Sequence, residues 1–94
     1  MSKITFEVCV DNIEGAMNAV NNGADRLELC DALGIGGTTP SAGLMQRAAK
    51  LGKPIYAMIR PRGGDFIFNF EDMDVMLHDI DTCRKYGMAG IVIG

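Results

Sequence analysis

Three sulfur side chains stand where they could meet. Cys9, Cys30 and Met58 occur in three successive short apolar runs, and each sits on the less apolar of its run's two alternating faces. In Ile4 to Val10, the residues Ile4, Phe6, Val8 and Val10 share one face; Thr5, Glu7 and Cys9 share the other. In Arg26 to Cys30, Leu27 and Leu29 oppose Arg26, Glu28 and Cys30. In Ile55 to Arg60, Ile55, Ala57 and Ile59 oppose Tyr56, Met58 and Arg60. Soft thiolate and thioether ligands select Cu(I), so two thiols and a thioether on one wall form a candidate cuprous site. Free Cys and Met are also common core residues, and spacing alone leaves that alternative open. The third cysteine, Cys83, falls on a helical apolar stripe and reads as core. Three cysteines with no CxxC argue for reduced thiols in a cytosolic protein rather than a disulfide framework. His78 is the one histidine and lies off the apolar stripe, so it reads as a solvated helix residue.

The same alternation gathers charge. Glu7, Arg26, Glu28 and Arg60 all take the sulfur-bearing parity. One reading is a buried network of two glutamates against two arginines, since buried charges need partners. The other is an anion-binding mouth. Arg60 and Arg62 flank Pro61, and Gly63-Gly64 leave backbone N–H groups approachable, a set suited to a carboxylate or phosphate. Glu7 or Glu28 would then be the catalytic acid or base. The loop holding Gly34, Gly36 and Gly37 could cradle a phosphate, serve as a lid, or simply turn the chain.

Helices must separate these runs. Asp11-Asn12 offers an N-cap, Ile13, Ala16, Met17 and Val20 repeat at helical spacing, and Asn22-Gly23 closes residues 12 to 22. Thr39 or Ser41 caps a second helix with Leu44, Met45, Ala48 and Leu51 on its stripe; Gly52 and Pro54 end it. Phe66 to Phe70 reads as a loop wall or a turn of 3₁₀ helix. Glu71-Asp72 starts the longest helix, which runs to about Tyr86 with Met73, Met76, Leu77, Ile80 and Cys83 facing the core. Gly90 to Gly94 is a fourth strand.

Strand, helix, strand, helix, strand, helix, strand predicts a parallel α/β sheet. A doubly wound sheet buries both faces and its strands read as continuous apolar runs. Here the first three strands keep a polar face, as the inner wall of a TIM barrel can near its active end. The first βα loop also lacks the Gly-x-Gly-x-x-Gly fingerprint. The expectation is a (β/α) TIM barrel, with residues 1–94 as its N-terminal half. Net charge is −3 with both signs interspersed, which argues against a nucleic-acid partner. No apolar run nears the ~20 residues of a membrane span, and the N-terminus carries no signal-peptide pattern. A cytoplasmic location is therefore expected.

Four segments carry a pattern: Glu7-Val-Cys-Val-Asp11, Gly23-Ala-Asp-Arg-Leu-Glu-Leu-Cys30, Gly36-Gly-Thr-Thr-Pro-Ser41 and Met58-Ile-Arg-Pro-Arg-Gly-Gly-Asp65. In order and interval they resemble the signature segments of the CutC family, and the resemblance covers the whole chain. It implies a cytoplasmic copper homeostasis protein with a TIM-barrel fold, binding Cu(I) through inward thiols; Cys9 and Cys30 are among the matching positions. The alternative is a barrel enzyme, or a remnant of one, acting on a small anionic molecule. A full barrel takes roughly 200 residues or more, so the chain is expected to be a fragment, a truncated reading frame, or half of a homodimeric barrel.

Overall fold

The computed structural model of the chain describes residues 4–93. The expectations for residues 1–3 and for Gly94 lie outside them. The elements are β1 (Glu7–Val10), α1 (Ile13–Asn21), β2 (Arg26–Leu29), α2 (Ala42–Ala48), β3 (Ile55–Ile59), α3 (Phe70–Lys85) and β4 (Gly90–Ile93). Short 3₁₀ turns cover Leu33–Ile35 and Ala49–Leu51. All three strand pairings are parallel, in the order β1-β2-β3-β4.

The apolar parity packs outward onto helices. Val10, Leu27, Leu29, Ile55, Ala57 and Ile59 form one buried cluster with Ala16 of α1, Met45 and Ala48 of α2 and Cys83 of α3. Leu27, Leu29 and Ile59 are fully buried; each contributes about 1.5–3 kcal/mol by leaving water. The helices lie side by side, α1 against α2 and α2 against α3. Sequential strands with neighbouring helices on one side is the layout of part of a (β/α) barrel, not of a doubly wound sheet.

Helix starts follow their caps. Asn12 accepts from the Gly15 N–H, Ser41 from Leu44, and Asn69 forms a reciprocal capping box with Asp72. The last begins α3 at Phe70, one residue before the expected start, and Phe66 to Asn69 is irregular chain without 3₁₀ helix.

Two expectations are corrected. β1 begins at Glu7, not Ile4. The Phe6 carbonyl takes the Asp25 N–H at 2.8 Å, and earlier residues have no strand beside them, which leaves Ile4 exposed. The α3 stripe is only partly covered. Cys83 is buried and Met76 and Ile80 partly so, but Met73 and Leu77 are 52% and 63% exposed. With Phe68, Met76 and Ile80 they line an open apolar cleft of about 390 Å³ that no described element fills.

Candidate metal centre

The other parity forms an inner wall on which no described helix packs. Register sets its rows: Glu7 beside Arg26, Cys9 beside Glu28, Glu28 beside Tyr56, Tyr56 beside Gly90, and Met58 beside Val92.

The lowest row is an ion pair. The Arg26 Nε donates to Glu7 Oε2 at 2.5 Å, and its guanidinium carbon stands 5.0 Å from the Tyr56 ring centre. Tyr56 in turn lies over Gly90, where a Cβ would fall 2.7 Å from the ring, so that position requires glycine.

Above it, Glu7, Cys9 and Glu28 each offer a ligand atom, all within 4.8 Å of one another. The Cys9 thiol donates to Glu28 Oε2 at 3.7 Å. Desolvation raises the Glu28 carboxyl above the usual carboxylate range; its hydrogen bond with Glu7 raises it further and the Cys9 contact opposes this. Desolvation, then the Glu28 charge, pushes the Cys9 thiol up as well.

Cys30 follows β2 and is 1% exposed. Its thiol donates to the Val10 carbonyl at 3.5 Å. Burial first, then the negative groups Cys9, Asp11, Glu28 and Asp31, push it up to about 11. Met58 joins it from β3. Both flank one turn: a Cβ on Gly37 would stand 3.4 Å from the Cys30 sulfur and 3.7 Å from the Met58 methyl. Gly37 has φ +94°, a left-handed conformation that favours glycine there.

The expected sulfur donors thus occupy one wall in two neighbouring groups, Cys9 among carboxylates and Cys30 with Met58 beneath a glycine turn. The sulfurs fit a soft ion; Glu7 and Glu28 are hard donors that Cu(I) does not favour. Cys83 is core, its sulfur 3.9 Å from that of Met45, and His78 is an exposed neighbour of Asp74.

Arg60 and Arg62 are spent on backbone and loop groups. The Arg60 Nη1 donates to the carbonyls of Ile35 at 2.9 Å and Gly37 at 3.2 Å, and Nη2 to Gly64 at 2.9 Å. Arg62 donates to Asp72, Asp65 and the carbonyls of Gly63, Asp65 and Ile67; the Asp72 contact, above all, raises its pKa. Neither pairs with Glu7 or Glu28. The balanced four-residue network is therefore only half present, as Glu7 with Arg26. Sequence reasoning missed Asp11 and Gly37 as parts of this wall. The paired glycines and the Asp after Val10 were the available signals.

The comparisons agree with this layout. The family model described as the CutC family matches residues 4–94. A CutC family protein of Rhizobium meliloti (strain 1021) is 58% identical over 94 residues, which is all of this chain and 38% of the relative. One from Vibrio atlanticus (strain LGP32) is 54% identical over 95% of this chain and 36% of its own length. The crystal structure of the provisionally assigned copper homeostasis protein CutC from Streptococcus agalactiae superposes with a TM-score of 0.90 at 34% identity, covering 98% of this chain and 46% of that one. The chain thus spans well under half the length of the curated relatives it matches. With four parallel strands in barrel order, an inner wall of thiols and carboxylates, and a family match along its length, the chain belongs to the CutC family.

Proposed function

We propose that this chain handles Cu(I) in copper homeostasis, taking the ion as cargo on Cys9, Cys30 and Met58. The observation that carries this reading is the convergence of Cys30 and Met58 on one face of Gly37, with Cys9 on the same wall. Copper homeostasis is also the role given to the Streptococcus agalactiae protein. Both thiols must lose their protons to bind. Glu28, already accepting from Cys9, is placed to receive that thiol's proton. Reduced thiols imply a cytoplasmic setting. Titrating Cu(I) against a chromophoric chelator tests the reading. Wild type is expected to compete, Cys9→Ser/Cys30→Ser to lose competition, and Met58→Leu to weaken it. Equal competition by the double variant would contradict the assignment.

One observation favours a second reading, a barrel enzyme acting on a small anionic molecule. The Glu7–Glu28 pair has a raised carboxyl suited to acid–base work. Its anion would be held by Arg60 and Arg62, and their present engagement with the loops weighs against it.

The assembly proposal is a homodimer without a nucleic-acid partner. Among the described residues β1 and β4 each have one unpaired edge. Pairing β4 of one copy with β1 of a second, about a two-fold axis, would close eight strands.

A further inference from the structure

Cys30 lies under a loop with its own fastenings. Residues 31 to 38 leave and return through one bridge, in which Asp31 and Thr38 exchange two backbone hydrogen bonds of 2.8 Å. Between them the chain takes positive φ at Ala32 (49°), Gly36 (96°) and Gly37 (94°). The loop crosses above the end of β2 and is tied on both sides. Asp11, after β1, accepts from the Leu33 N–H at 3.2 Å. Arg60, after β3, donates to the carbonyls of Ile35 and Gly37. The same guanidinium holds the next loop through Gly64 and stacks on Phe66, its carbon 4.6 Å from the ring centre.

Arg60 is an unusual tie. It is 5% exposed, its buried Nε has no partner, and none of the ion pairs among the described residues includes it. A buried cation held only by carbonyls and a ring is satisfied in part, and the unmade bond weighs against the closed arrangement. The loop adds strain at Ala32, a non-glycine residue in the left-handed region. A closed loop with a strong latch and built-in opposition has the makings of a two-position element.

We infer that the 31–38 loop is a gate over Cys30 and Met58, and that Arg60 is its latch, positioning Gly37 against the sulfur. The purpose of the gate rests on Cys30 being a copper ligand; its existence does not. Closed, it keeps the thiol buried. Released, it opens a path to two sulfur donors.

Peptide-resolved iodoacetamide labelling of the full chain tests this. Cys9 is exposed and serves as the accessible reference; Cys83 is buried in the core against Met45 and reports global opening. Arg60→Gln is expected to speed Cys30 labelling at least about tenfold, through two lost charge-assisted hydrogen bonds, with Cys83 unchanged. Removing a nearby positive charge disfavours the thiolate, so acceleration cannot come from a more acidic Cys30. Arg60→Lys keeps the charge without the planar fork and is expected to fall between. A parallel rise at Cys83, or no change at Cys30, would overturn the latch. If Arg60→Gln does not fold, Asp11→Ala removes the opposite tie, and because it also removes a negative charge beside Cys30 the readout is then backbone hydrogen–deuterium exchange: faster exchange confined to residues 31–38 supports the latch, and unchanged exchange there overturns it. Faster Cu(I) transfer from the chelator to Arg60→Gln would support gate and copper reading together. Faster labelling with unchanged transfer would leave the gate standing and remove Cys30 from the copper site.

Discussion

Protonation governs the sulfur wall at the residue scale. Cys30 is held at about 11 by burial and surrounding negative charge, and Cys9 is raised too, so both are thiols at neutral pH. If Cu(I) binds these thiols as proposed, the protons must leave, and affinity is expected to climb with pH, about tenfold per pH unit for each proton released. Chelator competition at three pH values between 6 and 9 measures that slope; a flat profile would mean that no thiol is a ligand. Linkage has the matching sign. The folded chain keeps the Cys30 proton more tightly than the unfolded one, so this thiol's contribution is full below its ordinary value near 9 and is lost as pH rises through about 11. A second residue-scale expectation concerns Gly90. A methyl there would meet the Tyr56 ring at 2.7 Å, so Gly90→Ala is expected to destabilise by about 1–3 kcal/mol in urea unfolding. Tyr56→Ala in the same background should recover most of it; failure to do so would place the strain elsewhere. Parity alone made Cys9, Cys30, Met58, Glu7 and Glu28 legible as one wall. The partners of Arg60 were not legible, because the carbonyls of Ile35 and Gly37 arrive from 25 and 23 residues away and only the folded loop presents them.

At the scale of elements, strand identity and helix caps were readable because each rests on local chemistry: alternation, Asn or Ser before an apolar repeat, Gly after it. Asn69 illustrates the point. Its side chain takes the Asp72 N–H at 2.8 Å and Asp72 answers to the Asn69 N–H, so Asn69→Ala is expected to cost about 1 kcal/mol and lower the melting temperature measured by circular dichroism. An unchanged melt would show that α3 is held by packing alone. Burial on α3 was harder to read. The repeat of Met73, Met76, Leu77 and Ile80 specifies an apolar face, yet a face is buried only if something lies against it. Here α2 covers one side and the other faces an open cleft, leaving Leu77 exposed. The length of β1 was overread for a similar reason, since alternation continues to Ile4 where no neighbouring strand accompanies it.

For the whole molecule, sequential strand order and helices on one side were legible as barrel grammar, whereas closure depends on surfaces beyond any one βα unit. Among the described residues, two free strand edges and an uncovered α3 face favour association over a solvated half-barrel. Sedimentation equilibrium at micromolar concentration is expected to find a dimer; a dispersed monomer of 10.1 kDa with a cooperative melt would refute it. A two-fold assembly would bring two sulfur walls around one interior, so copper stoichiometry per chain is best read together with mass. The central claim is that sulfur from Cys9, Cys30 and Met58 holds the ion while Glu7 and Glu28 stay outside its shell. X-ray absorption spectroscopy of the Cu(I)-loaded chain tests it most directly. The expected spectrum shows a first shell of sulfur alone that disappears in Cys9→Ser/Cys30→Ser; a shell containing carboxylate oxygen, or one unchanged in that variant, would contradict sulfur ligation.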